Sequence, residues 1–441
     1  MLEKKVFGMI SLGCDKNRVD AERLLGLIRE RGYAITSDAA EANILIVNTC
    51  SFLEAARKEA IETVLDCNAC RGGKLEKIVV SGCLPQKFIG ELFPALTEGD
   101  VFLGCNDADM LFDALERSYK EGRVNAVGQG HEVQTRRVLT TPLHYAYLKI
   151  ADGCNNHCTY CLIPKIRGRY RSYPVEQLAA EAEGLGDLSE LILVAQDTTR
   201  YGEDLYGKRS LVTLIRALTA LDNIGSVRLL YCYPDAIGDD LIEELATNPK
   251  LVKYLDIPLQ HSENRVLKLM NRKGSREEYA ALLQKLRARV PGIAVRSTFI
   301  AGFPTETEEE VHALADFLRE QKLENCGFFA YSREPDTPAY KLKGQIPARE
   351  KQKRVKMLYR VQREIAAAQS QEKVGTTIDV LCDGVCDDGS CFEGRAYWQA
   401  PEVDGKVYFT ASHGVQGEMY RVKITDADEY NLFGEAEETE S

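Results

Sequence analysis

The sequence lacks the long apolar runs that cross lipid bilayers, each of which needs roughly 18–20 residues. The N-terminal stretch Met1–Phe7 leads directly into a strand-like pattern and lacks the apolar core of a signal peptide. Internal repeats and low-complexity segments are missing as well. These absences argue against a membrane-spanning or secreted protein, and we expect a soluble protein of the cytoplasm.

The composition is that of an ordinary globular protein, with one unusual feature. Apolar residues make up 44% of the 441 residues and charged residues 28%, which argues against a mainly disordered chain. Fourteen cysteines are spread along the sequence. Because the cytosol keeps thiols reduced, a disulfide framework is not the expected use for them. Metal binding or catalysis is the better interpretation.

The net charge of −11 is confined to the C-terminal part of the chain. Residues 374–441 contain fifteen acidic and four basic side chains, whereas residues 1–373 contain 52 of each. An acidic segment of this kind is a poor electrostatic match for the phosphates of nucleic acid.

The first 135 residues alternate between strand and helix patterns, which is typical of a parallel sheet with helical crossovers. Helices are predicted at Val19–Arg31 and Phe52–Asp66. We therefore expect an α/β domain at 1–135 with a doubly wound parallel sheet. Its predicted strands are Lys5–Ser11, Ile44–Val47, Ile78–Ser81 and Val101–Leu103.

Residues 136–372 continue this alternation with longer units. Six βα units resemble a TIM-type barrel or partial barrel, and periodicity alone leaves open whether the barrel closes. Helices are predicted at Arg276–Val290 and Glu306–Gln321, and a solvated connecting helix at 347–373. The predicted strands are Tyr145–Ile150, Leu191–Ala195, Val227–Tyr231, Tyr254–Ile257, Ala294–Ile300 and Gly327–Tyr331.

The last segment, 373–441, changes to short alternating strands, which predict a small antiparallel β domain. Asp404 and Gly405 form a hairpin-turn signal, and Glu435–Ser441 is expected to be a frayed acidic end. The predicted strands are Thr376–Leu381, Arg395–Trp398, Lys406–Thr410 and Met419–Thr425.

Three cysteines with the spacing Cys-x₃-Cys-x₂-Cys directly follow the first strand of the central domain: Cys154, Cys158 and Cys161. Three thiolates on one loop can hold three irons of a four-iron, four-sulfur cluster. The fourth iron then has no protein ligand and can bind a chelating small molecule. Catalytic metal sites likewise keep one coordination position free of protein ligands. The alternative is a structural zinc ion with His157 as fourth ligand. Adjacent His157 and Cys158 would strain to bind one tetrahedral ion, so the pattern favours the cluster.

Three further cysteines share a local context although their spacing is irregular. Cys14, Cys50 and Cys83 each follow a predicted strand of the first domain. The carboxyl ends of parallel strands meet at one sheet edge, so these thiols are expected to converge and could hold a second cluster. Cys105 also follows a strand-like run and is a rival ligand on these grounds. The remaining cysteines are interpreted as reduced or packing thiols: Cys67, Cys70, Cys232, Cys326, Cys382, Cys386 and Cys391.

The triplet motif, with the aromatic Tyr160 before its last cysteine, resembles the signature of the radical S-adenosylmethionine (SAM) superfamily. The stretches Ser11–Asp20, Asn48–Phe52 and Ser81–Pro85 resemble the N-terminal domain of its methylthiotransferases. This resemblance covers nearly the whole chain. It implies a central radical SAM partial (βα)₆ barrel and a TRAM-like β domain at its C-terminus. It also implies two four-iron clusters, the auxiliary one held by Cys14, Cys50 and Cys83 rather than by Cys105.

The same resemblance implies which side chains lie near SAM. They are polar or aromatic residues on the triplet loop and at the ends of central strands: Tyr160, Gln196, Gln260, Arg296 and Ser297. Read without the resemblance, each polar residue of this group is more often a loop cap or a core partner.

The substrate type follows from two stretches, Gly13–Asp20 and Ala195–Gly202, which are similar to the RimO type of the family. Asp15 departs from that type, in which proline is usual. The resemblance implies transfer of a methylthio group to the β-carbon of an aspartate in ribosomal protein uS12. One SAM then serves methylation of a sulfur at the auxiliary cluster, and another serves hydrogen abstraction at the central cluster.

Two other functions stay open at this point. A tRNA adenosine methylthiotransferase would use the same chemistry, but its TRAM domain should be basic, whereas residues 374–441 carry −11. A non-enzymatic two-cluster electron carrier would need neither an open iron nor a large barrel. An enzyme would also need an unidentified electron donor as partner, and the charge argues against nucleic acid as the target.

The acidic β domain suits docking of a basic ribosomal protein. Several of its acids fall in predicted turns, where exposed side chains are expected: Asp383, Asp387, Asp388, Glu402 and Asp404.

Overall fold

The computed structural model describes residues 2, 4–131 and 136–437. The chain forms two compact units, which are described separately. The first comprises Met1–Thr140, Asp152–His157 and Cys161–Arg171, and the second comprises Thr141–Ala151, Cys158–Tyr160 and Ser172–Ser441. Within the described ranges, each helix is too short or too polar to cross a membrane.

The first unit contains a six-stranded, all-parallel sheet in the order β2-β1-β3-β4-β5-β6. Its strands are β1 (Val6–Ser11), β2 (Ala34–Thr36), β3 (Ile44–Thr49), β4 (Lys77–Gly82), β5 (Val101–Phe102) and β6 (Val124–Asn125). Its helices are α1 (Asp15–Glu30), α2 (Glu54–Asn68), α3 (Cys83–Ala95), α4 (Leu111–Glu121) and α5 (Ile163–Ile166).

Apolar side chains are buried on both faces of this sheet. Phe7 and Ile28 belong to one core cluster, whereas Val47 and Val64 belong to the other. Every residue of β3 is buried, as its unbroken apolar run predicts for a strand covered on both sides. The predicted doubly wound sheet is confirmed. The sequence patterns missed β2 and β6, the two short strands at the edges of the sheet.

The second unit contains a six-stranded parallel sheet in the order β14-β13-β12-β11-β10-β7. Its two edge strands do not pair with each other, so it is an open partial barrel, which settles the question that periodicity left open. The strands are β7 (Tyr145–Lys149), β10 (Leu188–Val194), β11 (Ile224–Leu229), β12 (Leu251–Asp256), β13 (Ala294–Ala301) and β14 (Asn325–Ala330). Two short strands, β8 (Ala151–Asp152) and β9 (Arg171–Ser172), lie between β7 and β10 in the chain.

Helices connect and cover these strands. They are α6 (Val175–Glu183), α7 (Glu203–Tyr206), α8 (Leu211–Thr219), α9 (Asp239–Thr247), α10 (Asn264–Leu269), α11 (Arg276–Arg289), α12 (Glu308–Gln321) and α13 (Ala348–Gln371). The interpretation of α13 as a solvated connector is wrong. Its stripe of Val355, Leu358 and Val361 is buried, and the helix packs against the edge strand β14. The apolar spacing of the stripe explains this burial.

The C-terminal strands close into a five-stranded barrel in the order β15-β16-β17-β19-β18, in which only β17 and β19 pair in parallel. They are β15 (Thr377–Val385), β16 (Phe392–Arg395), β17 (Val407–Thr410), β18 (Met419–Ala427) and β19 (Leu432–Ala436). The small β domain is confirmed.

Several local predictions for this domain are wrong. A strand was expected at Arg395–Trp398, but β16 ends at Arg395, and Asp404 belongs to a longer loop rather than a two-residue hairpin. Glu435 was expected in a frayed end but lies in β19, while residues 438–441 fall outside the described part. The reduced-thiol interpretation also fails for Cys386 and Cys391. The loop between β15 and β16 brings their Cα atoms to 5.4 Å, and they form a disulfide.

Candidate cluster-binding site

Three thiols meet at the carboxyl edge of the first sheet. Cys14, Cys50 and Cys83 follow β1, β3 and β4, which are adjacent in the sheet. Gly13 allows this approach. A Cβ atom there would lie 2.8 Å from the Cys50 Cβ and 3.4 Å from its Sγ, and the residue has φ +104°. Both the space and the backbone conformation therefore require glycine.

Two of these cysteines sit at the N-termini of helices, of which α3 has a kink at Phe88. Cys14 is the N-cap of α1, and Cys83 is the first residue of α3. The positive end of a helix dipole favours a thiolate, which is the form that binds iron. The sequence patterns placed the start of α1 at Val19, four residues late, and did not predict α3.

Hydrogen bonds hold the three cysteine segments together. The Asn17 side-chain amide donates to the carbonyls of Leu12 (2.6 Å) and Thr49 (3.3 Å), which lie just before Cys14 and Cys50. The Ser51 hydroxyl donates to the Cys83 carbonyl at 2.9 Å. The three thiols therefore lie on backbone segments that are hydrogen-bonded to one another, rather than on independent loops.

The thiols differ in how readily they ionise. Burial, followed by the proximity of Cys14 and Cys83, raises the pKa of Cys50 to about 11. Cys83 behaves in the opposite way. A hydrogen bond from the Cys105 thiol and the positive charge of Arg167 lower its pKa, although burial opposes them. The Cys83 thiol therefore ionises more readily than that of Cys50.

Cys105, the rival ligand, follows β5 and lies beside Cys83, with 3.8 Å between the two Sγ atoms. It packs against the apolar cluster of Cys83, Leu162 and Ile166. Its pKa is raised by the hydrogen bond to Cys83 and by burial. Cys105 thus donates a hydrogen bond to the Cys83 sulfur. The ligand choice stays a prediction.

The central triplet is divided between the two units. In the first unit, the Cys154 Sγ accepts hydrogen bonds from the backbone and side-chain amides of Asn156, both at 3.5 Å. The Cys161 Sγ accepts one from the Ile163 backbone at 3.4 Å. Gly153 has φ +76°, and a Cβ there would lie 2.2 Å from the Arg169 carbonyl oxygen. Only glycine fits directly before Cys154.

In the second unit, Cys158 is buried beside two residues that sequence reasoning did not single out. Its Sγ lies 3.6 Å from the Tyr233 hydroxyl and 3.8 Å from Arg272 Nη1. The Arg272 guanidinium also stacks 4.1 Å from the centre of the Tyr233 ring. Hydrogen bonds to the sulfurs are among the factors that set the potential of an iron–sulfur cluster.

The zinc alternative gains no support from the structure. In the described ranges, no three His, Cys, Asp or Glu side chains lie close enough together to hold one metal ion. This finding concerns single ions, because a four-iron cluster separates its ligands by the width of the cluster.

The five residues expected near SAM are in different surroundings. Gln196 and Gln260 follow the carboxyl ends of β10 and β12. Tyr160 packs on an apolar cluster that contains Phe303 and Tyr331. The Ser297 hydroxyl is buried and donates to the Ile257 carbonyl at 2.8 Å.

Arg296 has two carboxylate partners. Its guanidinium lies 3.5 Å from Asp256 and 3.3 Å from Asp404, a residue of the β domain. The Asp404 side chain is 1% exposed and also accepts from the Tyr254 hydroxyl at 2.7 Å.

The five acids expected on exposed turns are divided by the structure. Asp387, Asp388 and Glu402 are exposed, as predicted. The prediction is wrong for Asp404 and for Asp383, which accepts hydrogen bonds from Arg395 and pairs with His144, both at 2.8 Å. Asp404 thus contacts strands of the central sheet, and Asp383 contacts Arg395 and His144, which directly precedes β7.

Three family profiles match successive parts of the chain. They are an uncharacterized protein family, UPF0004, at residues 6–104, the Radical SAM superfamily at 148–318, and the TRAM domain at 374–436.

Curated relatives match almost the full length. The protein named ribosomal protein uS12 methylthiotransferase RimO from Lachnoclostridium phytofermentans is 44% identical over 98% of this chain and 100% of its own. Proteins of the same name are similar: that of Pelotomaculum thermopropionicum is 45% identical over 97% and 98%, and that of Clostridium botulinum 43% over 99% of each chain.

Solved structures share the fold at low identity. The radical SAM methyltransferase TsrM from Kitasatospora setae has a TM-score of 0.53 and 15% identity, covering 76% of this chain and 77% of its own. The cobalamin-dependent SAM radical enzyme OxsB has a TM-score of 0.51 and 12% identity, covering 77% and 55%. These likenesses concern the fold alone.

Proposed function

Because the chain belongs to the RimO family of ribosomal protein uS12 methylthiotransferases, we propose that it adds a methylthio group to the β-carbon of an aspartate in uS12. As a radical SAM enzyme it works with a four-iron cluster and SAM. Bound together, these two groups supply hydrogen abstraction from an unactivated C–H bond, which a side-chain base cannot perform. An electron donor outside this chain, not yet identified, is required.

The ligands of the radical SAM cluster in this proposal are Cys154, Cys158 and Cys161. Their support is the Cys-x₃-Cys-x₂-Cys spacing together with donors that face the sulfurs. Amides reach Cys154 and Cys161, while the Tyr233 hydroxyl and Arg272 lie beside Cys158. These groups place hydrogen-bond donors beside all three sulfurs.

A second four-iron cluster, bound by Cys14, Cys50 and Cys83, supplies the sulfur chemistry of the methylthio group. The convergence of these three thiols at one sheet edge is the observation that carries the proposal. A protein that only cleaved SAM would not need this second site. The helix N-termini at Cys14 and Cys83 add to the fit, because the positive end of a helix dipole attracts a bound anion.

SAM contacts are proposed for five residues with unequal support. Gln196 and Gln260 have the most, because they follow strand ends at the carboxyl edge, where such barrels bind ligands. Tyr160 belongs to the triplet loop. Arg296 and Ser297 have the least, because each already has a polar partner within the fold.

Substrate capture is proposed for the β domain, with residues 1–135, 136–372 and 373–441 as the three functional parts. Residues 374–441 hold the whole net charge of −11, and ribosomal proteins are basic. The exposed acids Asp387 and Asp388 lie beside an aromatic pair in which the half-buried Tyr408 stacks on the exposed Phe433 at 5.7 Å. Such a surface offers charge and apolar contact to a basic protein segment.

The test is an anaerobic assay with the reconstituted protein, SAM, dithionite and purified uS12. We expect 5′-deoxyadenosine to form and uS12 to gain one methylthio group. Bulk tRNA replaces uS12 in a parallel reaction. Modification of tRNA adenosine together with unmodified uS12 would assign the tRNA function. Absence of 5′-deoxyadenosine in both reactions would leave the electron-carrier function as the remaining hypothesis.

A further inference from the structure

One buried guanidinium contacts both sets of cysteine segments within the first unit. Arg167 Nη1 lies 2.5 Å from the Asp20 carboxylate and 3.1 Å from that of Asp152. Its Nη2 lies 3.2 Å from the Asn17 side-chain oxygen and 3.4 Å from the Cys83 Sγ. The Arg167 side chain is only 1% exposed, so these four contacts are made in the interior of the unit rather than at its surface.

The partners come from segments that carry the proposed cluster ligands. Asn17 and Asp20 lie on α1, which begins directly after Cys14. Asp152 lies two residues before Cys154. Arg167 itself follows Cys161 by six residues and directly follows α5. A single side chain thus joins the segments of Cys14 and Cys83 to those of Cys154 and Cys161.

The charges explain why this residue is an arginine. Asp152 and Arg167 are both 1% exposed, and a buried carboxylate is costly unless a cation pairs with it. The planar guanidinium presents donors in a fixed fork, so it serves two carboxylates, an amide oxygen and a sulfur at once. A lysine ammonium keeps the charge but has no such fork.

We propose that Arg167 is a positioning residue that fixes the Cys83 sulfur against the segment preceding Cys154 and raises the reduction potential of the auxiliary cluster. The inference rests on the proposed function, because it takes Cys83 as a ligand of that cluster. A cationic N–H donor beside a cluster sulfur stabilises the more negative, reduced state. Losing the donor therefore moves the midpoint potential to more negative values.

The test uses the full-length C154A/C158A/C161A protein, in which the auxiliary site alone is left to bind iron. R167K and R167Q are made in this background and reconstituted anaerobically. R137K is the matched control, because Arg137 is also buried in the first unit but forms its ion pair with the Glu22 carboxylate. Iron content and an EPR-monitored redox titration are measured for each.

We expect R167Q to shift the midpoint potential furthest to the negative, R167K to shift it less, and R137K to leave it unchanged. Because R167K keeps the charge, its midpoint potential tests the inference even where R167Q fails to fold. Equal potentials in parent, R167K and R167Q would overturn the inference, as would an equal shift in R137K. If the background protein binds no iron, the proposed auxiliary site fails, and this inference fails with it.

Discussion

Glu190 on β10 and Arg395 on β16 form an ion pair in which both side chains are at most 3% exposed. The second oxygen of Glu190 accepts from Arg228, and Arg395 also pairs with Asp383. The pair joins the central sheet to the small β-barrel within one compact unit. Buried charge therefore fixes the β domain to the central sheet.

Replacing Glu190 tests this attachment. E190Q removes the carboxylate partner of the buried Arg228 guanidinium and leaves Arg395 with Asp383 alone, and breaking a buried pair in this way costs about 3–5 kcal/mol. We expect the free energy of unfolding, measured in urea, to fall by about that amount. Fluorescence of the one tryptophan, Trp398, reports on the β domain. The control is E437Q, whose exposed pair with Arg421 should contribute little to stability. Equal losses in both variants would contradict the account.

The same pair predicts a pH dependence. Burial alone would raise the pKa of Glu190, but Arg228 and Arg395 lower it to about 2 from an ordinary 4.5. A lowered pKa means that the ionised carboxylate stabilises the fold fully above 4.5 and loses this effect as the pH falls toward 2. The stability difference between the wild type and E190Q should therefore shrink over that window. A difference that is constant from pH 6 to 2 would show that Glu190 is not the titrating group.

The central triplet can be tested by removing its thiols. The C154A/C158A/C161A protein should bind half the iron of the wild type after anaerobic reconstitution and should not form 5′-deoxyadenosine. The physical reason is that the open iron needed by SAM is lost with its three ligands. Iron analysis and chromatography of the products measure both. Cleavage of SAM at the wild-type rate would rule out these ligands.

The converging thiols should behave differently. C14A/C50A/C83A should lose the other half of the iron and stop methylthio transfer, while SAM cleavage continues. C105A is the informative single variant, with C67A as the control on α2. Iron content should stay at the wild-type level in both. If C105A loses the auxiliary iron and C50A keeps it, then the choice of Cys50 is wrong.

The exposed acids of the β domain should control capture of the substrate. Single exposed charges contribute roughly 0–1 kcal/mol, but several together raise the encounter rate, and salt screens them over about 8–10 Å. D387K/D388K/E402K should weaken binding of uS12, and added salt should weaken wild-type binding in the same way. The full chain is titrated with uS12 and with bulk tRNA.

The control for this reversal is E59K/E91K/E116K, which makes the same charge change at exposed positions of the first unit. It should leave uS12 binding near the wild-type level. Equal weakening in both variants would mean that net charge, rather than the β domain, governs capture.

The sequence predicted those features that depend on local pattern. The buried run of β3 and the spacing of Cys154, Cys158 and Cys161 are visible in a few residues. Convergence of Cys14, Cys50 and Cys83 could be predicted because parallel strands end at one edge. The predicted fold class depends on the same parallel arrangement of strands, which the strand order confirms.

Features that depend on distant partners could not be predicted. Asp404 looks like a turn residue, but Tyr254 and Arg296, more than a hundred residues away, bury it. The role of Arg167 depends on Asp20 and Cys83 in the same way, because an arginine looks solvated until its partners are known. The Cys386–Cys391 disulfide required the geometry of the loop after β15.

The most direct test of the central claim is the mass of uS12 after reaction with the reconstituted enzyme. We predict that the target aspartate of uS12 gains one methylthio group with SAM and dithionite present, and that the C154A/C158A/C161A protein leaves uS12 unchanged. Unmodified uS12 together with methylthiolated tRNA adenosine in the parallel reaction would contradict the substrate assignment. Modification by the triple variant would contradict the chemistry itself.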